Sequence, residues 1–140
     1  MRSTVVVRSK DEADRLRLTL ASLASHDEST EVVVVNDGSS DHTQKVVEDA
    51  PSQLRLVYIH NVAPVGRSGA ANIGAERASG DVLIFLDGDT LAAGDFVRSH
   101  MDVHRAGTDK VVRGDCFHLR CTRFFQDPET GLPVLERKIE

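Results

Sequence analysis

The sequence has no tryptophan, one tyrosine and two cysteines in 140 residues. Two cysteines, Cys116 and Cys121, are too few for a disulfide-built scaffold, and no Cys/His cluster near them has zinc spacing. They read as reduced thiols of a cytoplasmic protein. No apolar run approaches the ~20 residues that a membrane-spanning helix needs. The opening MRSTVVVRSKDE lacks the apolar stretch of a signal peptide, because charge returns directly after Val7. No basic block is present either. The balance of 17 Lys and Arg against 22 Asp and Glu gives a formal net charge of −5, which argues against a grip on nucleic acid. Internal repeats, low-complexity tracts and long linkers are absent. What remains is a chain with 40% hydrophobic residues, enough to build a core, and of a length suited to one domain.

The apolar residues fall in short alternating blocks. Thr4 to Val7 is a β-branched run and predicts a strand. Asp11 is placed to cap a following helix, in which Ala13, Leu16, Leu20 and Leu23 recur at helical spacing with Arg15, Arg17 and Thr19 off that face. Glu31 to Val35 predicts a second strand, apolar throughout, as in parallel sheets covered on both sides. Asp41 is placed to cap a short helix carrying Val46 and Val47. Leu54 to Ile59 alternates more and predicts a third, less central strand. After a loop with Pro64 and Gly66, an Ala-rich helix opens at Ser68 or Gly69 and ends near Gly80. Asp81 to Leu86 predicts a fourth strand, Phe96 to Arg105 a helix, and Lys110 to Arg113 a fifth strand. Turns are expected at 127–129 and 130–133, within a stretch whose pattern is otherwise weak. This alternation is that of an open α/β sheet, mainly parallel, with helices on both faces and right-handed crossovers.

Such sheets bind ligands at the carboxyl ends of their strands. Those ends carry Arg8-Ser9-Lys10-Asp11-Glu12, then Asn36-Asp37-Gly38-Ser39-Ser40-Asp41, then a loop ahead of Arg67, then Asp87-Gly88-Asp89-Thr90. Asp87 and Asp89 are the sharpest pair. Gly88 between them suits a tight turn, and two such close carboxylates are most comfortable around a cation. Oxygen ligands suit Mg²⁺ or Mn²⁺. An isolated Asp-Gly-Asp is more often a solvated turn; its place after a buried strand favours the metal. Asp37 is positioned to accept hydrogen bonds from a nucleoside, while Asn-Asp-Gly is also a turn signal. Arg67 and Lys10 are suited to phosphates or a base, though each alone would be an ordinary surface cation. No Gly-x-Gly-x-x-Gly follows the first strand, which disfavours a dinucleotide oxidoreductase.

The ordered set VVVVNDGSSD, GRSGAANIGAERASGD and VLIFLDGD resembles the amino-terminal half of a family 2 glycosyltransferase with the GT-A fold, a Rossmann-like nucleotide-binding half. The pieces that carry the likeness are Asp37-Gly38-Ser39-Ser40-Asp41, Asn72-Ile73-Gly74, Ala78-Ser79-Gly80-Asp81 and Asp87-Gly88-Asp89, and it covers residues 4 to about 113. The resemblance implies an inverting, metal-dependent transferase of nucleoside-diphosphate sugars, UDP by default, acting on an unknown acceptor. It implies that Asp37 binds the nucleobase, that Arg67 contacts the base or its surroundings, that Asp87 contacts ribose or metal, and that Asp89 coordinates Mn²⁺ or Mg²⁺. Where the family has Pro-x-aromatic-Asn-Glu, this chain has Arg8, Lys10, Asp11 and Glu12. A stacking ring is thereby exchanged for a cation, and Arg8 and Lys10 become candidates for phosphate contact.

The expected organisation is one domain, 1–140, with a nucleotide-sugar-binding core over 1–113. Residues 114–140 are read as the start of an acceptor side, or a loop-rich tail, possibly truncated. An inverting transfer needs a general base. Asp115, Asp127, Glu129 and Glu136 lie in that region, none in a recognisable motif, so no base is assigned. His100 and His104 could share a helix face but lack a third zinc ligand. Two alternatives stand beside the transferase. One is a nucleotide-binding fragment without turnover. The other, more remote, is a haloacid-dehalogenase-type phosphatase suggested by LIFLDGDTL.

Overall fold

The computed structural model describes residues 1–27, 29–107, 109–117, 124–126 and 133–135. They form two compact units, Met1–Lys110 and Val111–Glu140. In the first, β1 (Ser3–Ser9), α1 (Ala13–Leu23), β2 (Glu31–Asp37), α2 (Thr43–Glu48), β3 (Arg55–Asn61), α3 (Gly66–Arg77), β4 (Val82–Asp87) and α4 (Phe96–Arg105) follow in order. In the second, β5 (Phe124–Gln126) and β6 (Pro133–Leu135) pair antiparallel, Phe124 opposite Leu135. Apart from Pro133, the turns expected between them lie outside the described residues.

The sheet of the first unit has the order β3-β2-β1-β4, and every pairing is parallel. The chain runs outward from β1 through β2 to β3, then returns to the other side of β1. The order therefore reverses between β1 and β4, and that is where an open α/β sheet opens a crevice. The central strands carry valine runs, Val5–Val7 and Val32–Val35, whose side chains are all buried because helices cover both faces. On one face Val5, Val7, Val32, Val34, Ile84 and Leu86 pack under α1, α2 and α4, through Leu16, Leu20, Val46, Val97 and Met101. On the other, Val33 and Val35 pack under Ala70 of α3. β3 is an edge strand with half-exposed side chains, as its alternation suggests. Along β4, Leu83 and Phe85 stay exposed at 37% and 55%. No described helix is long and apolar enough to cross a membrane.

Several local expectations are corrected. Asp11 does not cap α1; it adopts φ +50°, and its Oδ1 accepts from the Ser40 amide at 2.7 Å. The cap comes from the loop after the neighbouring strand, β2. Asp41 Oδ2 accepts from the Ala13 amide at 3.0 Å, while Oδ1 accepts from the Thr43 amide at 3.0 Å. One carboxylate thus serves the first turns of both α1 and α2, where amides lack partners. Thr19 does not face away from the core but is fully buried. α3 opens at Gly66 and ends at Arg77. Gly80 is not its cap; a Cβ there would lie 2.7 Å from the backbone of Ser3 and Thr4. The strand expected at Lys110 to Arg113 does not form. Val111 is fully exposed, so that short run has no ladder to join.

Candidate active site

The carboxyl ends of β1 and β4 meet at the reversal of strand order. Arg8 and Asp87 are register partners there. Arg8 Nε donates to Asp87 Oδ1 at 2.7 Å, and Nη2 approaches the same oxygen at 2.6 Å. The next residue is clamped. Gly88 N donates to Arg8 O at 3.0 Å, and Thr19 Oγ1 of α1 donates to Gly88 O at 2.9 Å. Gly88 has no positive φ, so a left-handed turn is not why glycine stands here. Space is the reason. An added Cβ would lie 2.7 Å from Glu12 Oε1, 2.9 Å from Ser9 Cβ and 3.0 Å from Arg8 O.

Asp89 leaves this clamp on the α1 side, with its carboxylate 3.8 Å from Arg15 Nη1. Glu12 is half-buried beside it. Burial first, and then the negative charge of Asp89, raise the Glu12 pKa above 4.5. The two aspartates therefore do not converge on one point; each has its own arginine. Asp89 and Glu12 nevertheless leave a local surplus of negative charge that suits a cation. Among the described residues, no three His, Cys, Asp or Glu side chains are grouped to hold a metal ion. An ion of the Mg²⁺ type needs only one or two protein carboxylates when phosphate and water supply the rest, and that donor set fits.

The ends of β2 and β3 form the second part of the rim. Asp37 is 5% exposed. Its Oδ1 accepts from Asn61 Nδ2 at 3.0 Å and Val65 N at 2.8 Å, and Oδ2 accepts from Gly66 N at 2.9 Å. Burial opposes its charge, but the hydrogen bonds from Val65, Asn61 and Gly66 outweigh it and hold its pKa low, helped by Lys10. Gly38 takes φ +73° with Pro64 against it, so this turn packs on the loop after β3. Arg67 stands exposed one residue beyond the Gly66 amide. Beneath the rim, buried Asn36 donates to Tyr58 Oη at 2.8 Å, with His60 Nδ1 at 3.3 Å.

Arg8 and Asp87 are thus brought into direct contact, while Glu12 senses the charge of Asp89 and Asp37 that of Lys10. Asp115 is exposed in the second unit; Asp127, Glu129 and Glu136 lie outside the described residues, as does Cys121. Thr19, Arg15 and Asn61 were not anticipated. Thr19 did carry a signal, since it lies three residues after Leu16 and four before Leu23, on the apolar stripe. His100 stacks edge-on against Phe96, with centroids 5.0 Å apart.

A parallel sheet whose strand order reverses between β1 and β4, with charged side chains gathered at that switch point, defines an open, doubly wound α/β fold. The chain belongs to glycosyl transferase family 2, whose model matches residues 4–131. That match sets aside the phosphatase reading. The chain is 34% identical over 142 residues to validoxylamine A glucosyltransferase of Streptomyces hygroscopicus subsp. jinggangensis, covering 98% of this chain and 32% of that protein. It is 33% identical over 116 residues to an uncharacterized glycosyltransferase of Bacillus subtilis, covering 81% and 30%. The chain therefore spans about a third of the length of these relatives. Among solved structures, residues 1–349 of Staphylococcus aureus TarS share the GT-A fold at TM-score 0.71 and 23% identity, covering 86% of this chain and 39% of that one. The mannosyltransferase PcManGT of Pyrobaculum calidifontis, in complex with GDP-Man and Mn²⁺, matches at TM-score 0.63 and 29% identity, covering 67% and 29%.

Proposed function

We propose that this chain is the donor-binding part of an inverting, metal-dependent glycosyltransferase that takes a nucleoside-diphosphate sugar, UDP-linked by default. The observation that carries the reading is the charged rim at the carboxyl ends of β1 and β4, where Arg8, Glu12, Asp87 and Asp89 gather at the reversal of strand order. In this reading Asp37, already holding the loop ahead of Arg67, faces the nucleobase, and Arg67 flanks it. Lys10 and Arg8 lie toward the diphosphate. Asp87 and Asp89 attend the ribose and the Mn²⁺ or Mg²⁺ ion. The Mn²⁺ and GDP-Man complex of PcManGT supports a divalent ion and a nucleoside-diphosphate donor here. When bound, the ion offsets charge that builds on the leaving diphosphate. The sugar C1–O bond to the diphosphate breaks, a C1–O bond to the acceptor forms, and the acceptor proton passes to a base yet to be assigned. A cytoplasmic setting belongs to the same reading, on the low cysteine content.

A thermal-shift panel of UDP, GDP and dTDP with and without Mn²⁺ tests it. We expect one nucleotide to raise Tm only with the metal, and Asp89→Asn to lose that rise. Equal shifts in the variant and the parent chain would remove the metal assignment. A second reading stands beside it, binding of the nucleotide without turnover. Metal-dependent sugar release from a nucleotide sugar by this chain would exclude it.

A further inference from the structure

We propose that Thr19 and Ser22 are positioning residues of the donor site: their two hydroxyls pin the ends of the segment 88–92 to α1 and so fix where Asp89 stands. This role rests on the donor-binding reading above and supplies what holds its Asp-Gly-Asp turn in place.

Helix α1 turns one polar stripe toward this segment. From Glu12, just ahead of the helix, the stripe continues through Arg15, Thr19 and Ser22 in steps of three and four, the spacing of one helix face. Every member meets residues 88–92. Glu12 Oε1 lies 2.7 Å from where a Cβ of Gly88 would stand, and Arg15 Nη1 is 3.8 Å from Asp89 Oδ2. The last two members make the hydrogen bonds. Fully buried Thr19 donates from Oγ1 to Gly88 O at 2.9 Å, with Arg15 O of its own helix at 3.2 Å. Ser22 Oγ donates to Thr19 O at 2.7 Å and accepts from Ala92 N at 3.0 Å, so one hydroxyl bridges the helix and the segment. Between the two pins no side chain is buried: Asp89 and Leu91 are exposed and Thr90 is half-buried. Thr90 N donates to Asp87 O at 3.1 Å, which closes the turn and sets its shape but not its distance from α1. That distance is set at the pins. Gly88 is also held through its N–H by Arg8 O, whereas the Ala92 N–H has Ser22 as its partner, so Ser22 is the sharper test. A segment with few buried contacts shifts when its hydrogen bonds to the scaffold are cut, and a displacement of about 1 Å is enough to spoil a binding geometry while the fold survives.

The test is calorimetric titration of the full chain with UDP, GDP and dTDP in turn at saturating Mn²⁺, far below the melting temperature, where a merely destabilised variant is still folded. Ser22→Ala is expected to weaken nucleotide binding about tenfold, the lower end of what losing a group that orients a metal ligand costs, and Ser22→Thr, which keeps the hydroxyl, to stay within about twofold of the parent. Thr19→Val is expected to weaken binding likewise and Thr19→Ser to restore it. The control is Val47→Ala, a truncation of the core under α2 that removes no contact to residues 88–92. It lowers Tm but should leave the affinity at the parent value. The proposal is overturned if Ser22→Ala binds as the parent does, if Ser22→Thr loses as much as Ser22→Ala, or if Val47→Ala weakens binding equally. If Thr19→Val does not fold, the Ser22 arm decides alone. A parent chain that binds none of the three nucleotides with Mn²⁺ would instead overturn the donor-binding reading, and this role with it.

Discussion

Gly88→Ala is the most demanding test of the site, because one methyl group probes both the end of β1 and the Glu12 side chain ahead of α1. The new Cβ would meet Glu12 Oε1 at 2.7 Å, Ser9 Cβ at 2.9 Å and Arg8 O at 3.0 Å. The Glu12 carboxylate is the end of a flexible side chain and can swing away. Ser9 is buried in β1, and Arg8 O is backbone that accepts from Gly88 N, so neither can yield without disturbing the β1–β4 pairing. Overpacking of this kind costs about 1–3 kcal/mol. For a unit of this size that corresponds to a fall in Tm on the order of 5–15 °C. The displaced segment carries Asp87 and Asp89, so metal-dependent nucleotide binding should weaken by about tenfold, equivalent to roughly 1.4 kcal/mol. The control is Gly94→Ala. Gly94 has no positive φ, and its added Cβ would have nothing within 4 Å. That variant should melt and bind like the parent. Thermal unfolding by circular dichroism and titration with Mn²⁺ and UDP read both effects. If Gly88→Ala matched Gly94→Ala in both measurements, the close approach of α1 and β1 to the Asp-Gly-Asp segment would be refuted.

Two further outcomes follow from the same contacts. Thr19→Val keeps the side-chain shape but leaves Gly88 O without its buried donor, a loss of about 1–3 kcal/mol by urea denaturation; Thr19→Ser should recover most of it, and equal loss in both variants would show that the hydroxyl is irrelevant. Glu12 is harder to ionise folded than unfolded, so its ionisation lowers stability as pH rises from about 4.5 through its raised folded value. Glu12→Gln should therefore stabilise the chain at pH 7.5 and lose that gain at pH 4; a gain of the same size at both values would contradict the burial and Asp89 effects assigned to Glu12.

The parts of this fold that were readable in one dimension are those set by local pattern. Valine runs bounded by turn residues specify β1 and β2, and the apolar positions of Phe96 to Arg105 match α4 residue for residue. The parallel sheet and the family also follow from the order of the motifs. What escaped the reading depends on contacts between elements distant in sequence. Asp41 looks like a local cap for α2, and only the packed structure brings it to Ala13. Thr19 is polar at a core position because its partner, the Gly88 carbonyl, lies 69 residues away. Lys110 to Arg113 has strand composition, yet composition does not supply a neighbouring strand. At the site, the residue types at the strand ends were legible, whereas the pairing of Arg8 with Asp87 and of Arg15 with Asp89 required the register and the helix position.

The carboxylate of Asp41 has a consequence for how the molecule comes apart. Because one side chain holds the first turns of two helices, neither helix can fray at that end while the other stays intact. The Asp11 contact with Ser40 adds a second link between the same two loops. Amide protons near Ala13 and Thr43 should thus exchange as one cooperative event, and a strain introduced in the loop after β2 would be felt at the start of α1, directly beside Glu12.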